Sequence, residues 1–406
     1  MTYTIDRLSL HADGVAHGPE GTVHVAMALP GEVVSGEPIA GRIAAPKIVT
    51  PSADRVSAPC PHYRACGGCV MQHASDAFTA GWKVDVVRHA LSARNVAVPE
   101  MTIATSPLHS RRRATLAGRR TKKGTLVGFH ARASDTLVEV PGCLILRPEL
   151  LAAIPILHEA TAIGASRKGE VAFAMSLSQN GLDIAATGGK DTDPAQFEAL
   201  ADLARRRDLA RLTWNGEVIA ARRAPLQSFG AAKVAPPPGA FLQATAHGEA
   251  ALVAFVREAV TGASKVADLF AGCGTFALPL AEDASVHAVE NATAMIEALD
   301  LGWRQAKGLH RVTSEVRDLF RRPLLSDEID RYDAVVIDPP RAGAEAQVAQ
   351  ICASRLKRLV HVSCNPVTFA REAAALIDAG FTLDRILVVD QFRFSAHVEV
   401  AACFSR

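Results

Sequence analysis

Three groups of residues in this chain combine types and spacing that could carry chemistry. The first is Cys364, in the run Val360-His361-Val362-Ser363-Cys364-Asn365-Pro366. Leu359 to Val362 reads as a short buried strand. Asn365 is a good helix N-cap and Pro366 suits the first helical position. The composition stays helix-like through Ala379 and stops at Gly380. Cys364 is therefore predicted on a strand-to-helix turn, at the positive end of a helix dipole. There a thiol pKa falls from about 8.5 towards neutrality and a thiolate nucleophile becomes available. A small buried apolar cysteine is the plainer reading of the same residue.

The second group combines a glycine turn with two acids. In Val266-Ala267-Asp268-Leu269-Phe270-Ala271-Gly272-Cys273-Gly274-Thr275-Phe276 a strand runs into Gly272 and Gly274 and then a helix. The glycines let backbone approach a ligand closely. Glu290 ends the next strand, eighteen residues after Gly272, where an acid can accept hydrogen bonds from ribose hydroxyls. This fits a nucleoside-containing cofactor. Ala277 stands where a dinucleotide fingerprint has its last glycine, which counts against a standard dinucleotide site. Asp338, in Asp338-Pro339-Pro340-Arg341, is predicted at the carboxyl end of the fourth strand, where open α/β sheets bind ligands. The two prolines stiffen the loop behind its carboxylate.

The third group is a thiol set. Cys60, Cys66 and Cys69 form C-x5-C-x2-C, and Cys143 is the one other cysteine before the last domain. Four thiolates can hold zinc or an iron–sulfur cluster, and the spacing leaves both open. Without a ligand such thiols in a Gly-rich loop would be exposed to oxidation. Between Met101 and Ser134 there are eight Lys or Arg and no acid, led by Arg111-Arg112-Arg113 and Arg119, Arg120, Lys122 and Lys123. That one-sidedness in a nearly neutral chain suggests a phosphate-contacting surface, although a solvated face is the commoner outcome.

The elements that must position these groups fall into three stretches of a 406-residue chain. Residues 1–56 alternate short strands with frequent turns, which suggests a small β-barrel. Residues 57–238 carry the three close cysteines, then Phe78, Trp82, Val86 and Ala90 at helical spacing, then mixed strands and helices up to Pro236-Pro237-Pro238. Residues 239–406 alternate strand and helix, so a mostly parallel sheet with helices on both faces is expected. The last two strands follow each other directly, so the final one should be antiparallel. With 49% hydrophobic residues the chain can build substantial cores, and a net charge of +2 announces no polyanion partner by itself. No apolar run has transmembrane length and the start lacks a signal-peptide pattern, so a soluble cytoplasmic protein without a membrane partner is expected.

Taken together, the motifs Ala28-Leu29-Pro30-Gly31-Glu32, Cys66-Gly67-Gly68-Cys69, Phe241-Leu242-Gln243-Ala244-Thr245, the 268–276 glycine segment, Asp338-Pro339-Pro340-Arg341, Ser363-Cys364-Asn365-Pro366 and His397-Val398-Glu399 resemble the S-adenosylmethionine-dependent RNA uridine-C5 methyltransferases, which modify 23S ribosomal RNA or tRNA. The resemblance covers nearly the whole chain. Thr245 and Thr275 stand where relatives often have Asn, and the barrel is short between Gly21 and Leu29. The resemblance implies a class I methyltransferase domain at 239–406, a central α+β domain at 57–238 and an RNA-binding TRAM-like barrel at 1–56. It implies Cys364 as nucleophile and Glu399 as base. It assigns Gln243, Phe270, Thr275, Glu290, Asp318 and Asp338 to the S-adenosylmethionine pocket or the adjoining base. It implies a [4Fe-4S] cluster on Cys60, Cys66, Cys69 and Cys143. A monomer acting on ribosomal RNA, with tRNA as the alternative, is expected. The rivals fit less well. Cytosine-C5 enzymes often carry Pro-Cys after the fourth strand, and N6-adenine enzymes place an aromatic residue where Arg341 stands. An RNA-binding iron–sulfur protein with a dead methylase domain would have no need of intact Cys364, Glu399 and Asp338.

Overall fold

The computed structural model describes residues 1–406. The apolar runs after residue 260 become strands buried on both faces, as in Ala334–Ile337, where every residue is buried. They form one eight-stranded sheet in the order Val312–Val316, Ser285–Glu290, Lys265–Leu269, Ala334–Ile337, Arg358–Ser363, Glu399–Ser405, Thr382–Asp390, Met101–Thr105. The first five are parallel, and Glu399–Ser405 runs antiparallel to both neighbours, as expected. Alternate residues feed two apolar cores on opposite faces: Val335, Ile337 and Leu359 in one, Val336, Val360 and Val362 in the other. This is the class I methyltransferase arrangement.

Two elements from 57–238 join this unit. The strand Met101–Thr105 pairs in parallel with Thr382–Asp390 and closes the edge. The helix Asp76–Ser92, capped by Ser75 Oγ accepting the Phe78 N–H at 3.1 Å, packs on the helix Pro366–Asp378. The expected helical stripe is one step out of phase with the buried one: Thr79, Lys83, Val86, Val87 and Leu91 face inward. Lys83 is fully buried because its ammonium meets Asp390 at 2.5 Å. A hydrogen-bonded ion pair is what permits a buried charge.

Seven other strands of the middle region form a second sheet, in which Arg113–Thr121 and Glu170–Ser178 pair antiparallel near its centre and helices Ile154–Gly164 and Pro194–Arg206 pack on it, while Gln227–Phe229 and Ala232–Val234 make a separate two-stranded ribbon. The first fifty residues make two small sheets around Tyr3, Ile5, Val25 and Val34. Glu32 of the 28–32 motif is buried there, accepting the Leu29 and Ser52 N–H groups at 2.8 and 3.1 Å and pairing with Arg55. No helix is long and apolar enough to cross a membrane.

Candidate active site

Four turns at the carboxyl ends of the sheet build one pocket. After Lys265–Leu269 the chain turns sharply, with positive φ at Phe270 (63°), Gly272 (56°) and Gly274 (97°). A Cβ at Gly274 would lie 2.7 Å from Leu278 Cδ1, whereas one at Gly272 would meet only open space. Glu290 orders this turn: its carboxylate accepts the Gly272 N–H at 3.1 Å and the Ala292 N–H at 2.9 Å. Asp338 follows Ala334–Ile337, its N–H donating to Leu269 O at 3.2 Å. Cys364 sits on the predicted strand-to-helix turn, and Asn365 Oδ1 caps the helix by accepting the Val367 N–H at 3.1 Å. The Asn365 amide also donates to Arg341 O at 3.0 Å, lacing the two loops together. Glu399 opens the antiparallel strand, where Val400 pairs with Ser363, so the register sets Glu399 beside the Cys364 turn.

A cavity of about 520 Å³ is lined by Gln243, Phe270, Thr275, Glu290, Asp338, Cys364 and Glu399. Of the residues singled out in the sequence for this pocket, only Asp318 is not in the lining. Its neighbours Arg317, Leu319 and Phe320 are, and its own carboxylate accepts the Phe320 N–H at 3.0 Å. The Phe270 and Phe320 rings lean together at 5.6 Å and make an apolar wall.

The electrostatics correct one expectation. The Cys364 thiol is pushed up to about 11 rather than down. Burial is the main cause, followed by the charges of Glu399 and Asp338, against a smaller opposing effect of Arg341. The helix N-terminus is present, but partial burial and two carboxylates outweigh it. Burial also lifts Asp338 to about 7; burial, then Asp338, lifts Glu399 to about 8. In the unliganded pocket burial thus favours the protonated form of both acids, and for Glu399 the neighbouring Asp338 adds to it.

Two supports were not visible in the sequence. Arg112 does not face solvent: its N–H groups donate to Ala244 O at 3.0 Å and Gln243 O at 3.2 Å, and it pairs with Glu249 at 2.5 Å. It anchors the 241–245 segment. Gln391, 1% exposed, contacts both Gln243 and Glu399. Nothing separates Arg112 from its basic neighbours in sequence, and a lone Gln carries no motif. The basic stretch is accordingly divided. Arg119 pairs with Glu170 at 2.7 Å, while Arg120, Lys122 and Lys123 are exposed with no carboxylate partner.

The second thiol site is a cavity of about 590 Å³ lined by Cys60, Cys66, Cys69 and Cys143 together. Burial pushes Cys69 up to about 12 and raises Cys66. Arg111 and Arg132 share the lining; Arg132 donates to Cys69 O at 3.1 Å, and Arg111, lowered by burial, has no carboxylate partner and faces Cys69 and Cys143. No three Cys, His, Asp or Glu side chains converge on one point to hold a single metal ion.

The tRNA (uracil-5-)-methyltransferase family model matches residues 235–406. Uncharacterized RNA methyltransferases from Brucella suis and Caulobacter vibrioides are 42% and 41% identical, over 99% of this chain and 97% and 99% of theirs. A 23S rRNA (uracil(1939)-C(5))-methyltransferase from Chromohalobacter salexigens is 32% identical over 99% of this chain and 89% of its own. In fold, the chain superposes along its whole length on all of the Pyrococcus abyssi tRNA (uracil-54, C5)-methyltransferase, solved with S-adenosyl-L-homocysteine, at a TM-score of 0.77 and 21% identity. A thiol and two carboxylates at the mouth of a class I sheet, in a chain aligned end to end with such enzymes, identify it as a member of the S-adenosylmethionine-dependent RNA uracil-C5 methyltransferase family.

Proposed function

We propose that this enzyme methylates C5 of one specific uridine in RNA, 23S ribosomal RNA ahead of tRNA, through a covalent bond from Cys364 to uracil C6. The observation that carries the reading is that Cys364, Glu399 and Asp338 line one cavity with Glu290 and the glycine turn. Ribosomal RNA is favoured because a relative covering the whole chain is named for it; the family model's own name keeps tRNA as the alternative.

Uracil C5 is a poor nucleophile. Addition of the Cys364 sulfur to C6 makes C5 an enolate-like carbon able to accept a methyl group, and so divides one hard step into two easier ones. S-adenosylmethionine, when bound, supplies that methyl group on a cationic sulfonium. Glu399 then takes the C5 proton, the C6–sulfur bond breaks, and the thiolate leaves. The Cys364 proton has two carboxylates within electrostatic reach, and a cation entering an acid-lined pocket lowers the pKa of thiol and acids alike. Glu290 would hold ribose hydroxyls, Gln243, Phe270 and Thr275 would frame the cofactor, Asp318 would face its adenine edge, and Asp338 would lie between cofactor and base. The target base must leave its stack, at a cost of a few kcal/mol that a loop uridine lessens.

For the cysteine cavity the reading is a [4Fe-4S] cluster, supported by the four thiols that line one space and by Arg111 and Arg132, which offer cations to an anionic core. Such a cluster would tie residues 60–69 to Cys143 and stabilise the region. In this reading residues 1–56 form a TRAM-like barrel that binds RNA beside the central unit, 57–238, which lends the helix Asp76–Ser92 and the strand Met101–Thr105 to the catalytic unit, 239–406. Arg120, Lys122 and Lys123 offer phosphate contacts. Mapping 5-methyluridine in ribosomal and transfer RNA from cells lacking this gene is the test. One uridine losing its methyl group, restored by the wild-type gene and not by Cys364→Ala, is expected. An unchanged map would overturn the assignment.

A further inference from the structure

A carboxylate that must act as a base needs an arrangement that holds it in one place and favours its charged form. Around Glu399 most neighbours do the reverse. Asp338 faces it from the end of Ala334–Ile337, and Cys364 from the turn before Pro366–Asp378. Arg341, in the loop after Asp338, acts on Cys364. Lys83, the nearby buried ammonium, is committed to Asp390 at 2.5 Å. The one hydrogen bond to the Glu399 side chain comes from Gln391, whose Nε2 donates to Glu399 Oε2 at 3.2 Å.

The orientation of that amide is fixed by its surroundings. Gln391 Oε1 accepts the Ala244 N–H at 2.8 Å, and a backbone N–H can only donate. The NH2 group is therefore turned the other way, with one hydrogen for Glu399 and one for Gln243 Oε1 at 2.5 Å. The backbone is clamped as well. Adjoining Asp390 holds Lys83, and its carbonyl accepts the Ser106 N–H at 2.9 Å. Gly248 lets the helix Ala246–Ala259 close on this side chain, since a Cβ there would lie 2.7 Å from Gln391 Cβ.

We propose that Gln391 is the positioning residue of the proton-removal step: its two amide hydrogens hold Glu399 and Gln243 in one frame and keep the Glu399 carboxylate available as the base. The inference rests on the Cys364–Glu399 reading above. Gln391 touches neither the methyl donor nor C5; it acts through Glu399. Because the bond stabilises the charged carboxylate, its loss raises the pH at which Glu399 ionises, and that sets the effect apart from simple loss of packing.

The test uses the full-length protein, RNA carrying the target uridine, and Gln391→Met, which keeps length and removes the donor. Turnover and the fraction of RNA held as protein adduct are measured across pH. The alkaline-rising limb of turnover should move up by about one pH unit. Adduct should accumulate several-fold near neutral pH, most of the rate should return near about pH 9, and S-adenosylhomocysteine affinity should stay within about three-fold. A loss by the same factor at every pH would assign Gln391 to packing and overturn the proposal. Should Gln391→Met not fold, Gln391→Glu places a third carboxyl there and must shift the limb in the same direction. If wild type forms no adduct and Cys364→Ala turns over normally, the parent reading falls and this proposal with it. If wild type forms the adduct but the limb does not move, the proposal alone falls.

Discussion

The catalytic pocket and the cysteine cavity are of similar size, about 520 and 590 Å³, and both present thiols whose pKa burial raises. They differ in the charge set against those thiols. The Cys364 thiol faces Glu399 and Asp338, with Glu290 across the pocket; of the two arginines in the lining, Arg341 acts on the thiol and Arg317 is paired with Glu328 at 2.9 Å. The four loop thiols face Arg111 and Arg132, and the acid in that lining, Asp13, is already paired with Arg42. An acidic lining suits a cationic methyl donor, and gives the sulfur a reason to ionise only when that donor is bound. A cationic lining suits sulfurs that stay ionised on an inorganic core. On the proposed reading, the sign of the lining is what would separate a turnover thiol from ligand thiols, which neither burial nor cysteine spacing does.

The largest way to break this contrast is to remove the turnover thiol. Cys364→Ala should lose methyl transfer by more than about 1,000-fold, with S-adenosylhomocysteine affinity, read by calorimetry, changed less than about three-fold. Substantial methylation by this variant would mean that the pocket needs no thiol.

Glu399→Gln comes next. Turnover should fall by roughly 100- to 10,000-fold, the range for loss of a general base, with protein–RNA adduct visible on denaturing gels. Its stability carries a sign as well. Burial holds the Glu399 pKa above its unfolded value, so the folded state prefers the protonated form. That contribution is complete below about pH 4.5 and is lost as pH rises through about 8. Glu399→Gln should therefore melt higher than wild type at about pH 8.5 and at nearly the same temperature at about pH 4.5. A gap that is the same at both values would contradict the buried-acid picture.

For the other cavity, Cys66→Ser combined with Cys69→Ser should abolish bound iron and sulfide and lower the melting temperature by several degrees, with S-adenosylhomocysteine binding retained. Stoichiometric zinc without sulfide in anaerobically purified wild type would refute the cluster. The smallest effect is expected from Arg111→Met, which keeps the thiols and removes a counter-charge. Iron should be lost to a chelator roughly ten-fold faster. No change would mean that the cationic lining is incidental.

How far the sequence could be read follows from how local each feature is. The Cys364 turn was legible because a strand, an Asn cap, a Pro and a terminal Gly lie within twenty-odd residues. Strand alternation likewise gave the sheet and its antiparallel last strand. What stayed hidden depends on partners far away in sequence. Lys83 and Asp390 are 307 residues apart, and Gln391 and Gln243 148. The strand Met101–Thr105 joins the catalytic sheet from a stretch whose local pattern reads as part of the middle region. The direction of the Cys364 shift was missed for the same reason: the helix end is local, while Asp338 and Glu399 come from two other strands.

The central claim is that a C6–sulfur bond forms at Cys364. RNA carrying 5-fluorouridine at the target position tests it most directly, because fluorine at C5 leaves no proton for Glu399 to remove and the adduct cannot resolve. Incubation with S-adenosylmethionine followed by peptide mass spectrometry should give a stable, methylated protein–RNA link on Cys364 and no other residue. An enzyme that methylates ordinary RNA but forms no such link, or forms it on another residue, would contradict the account.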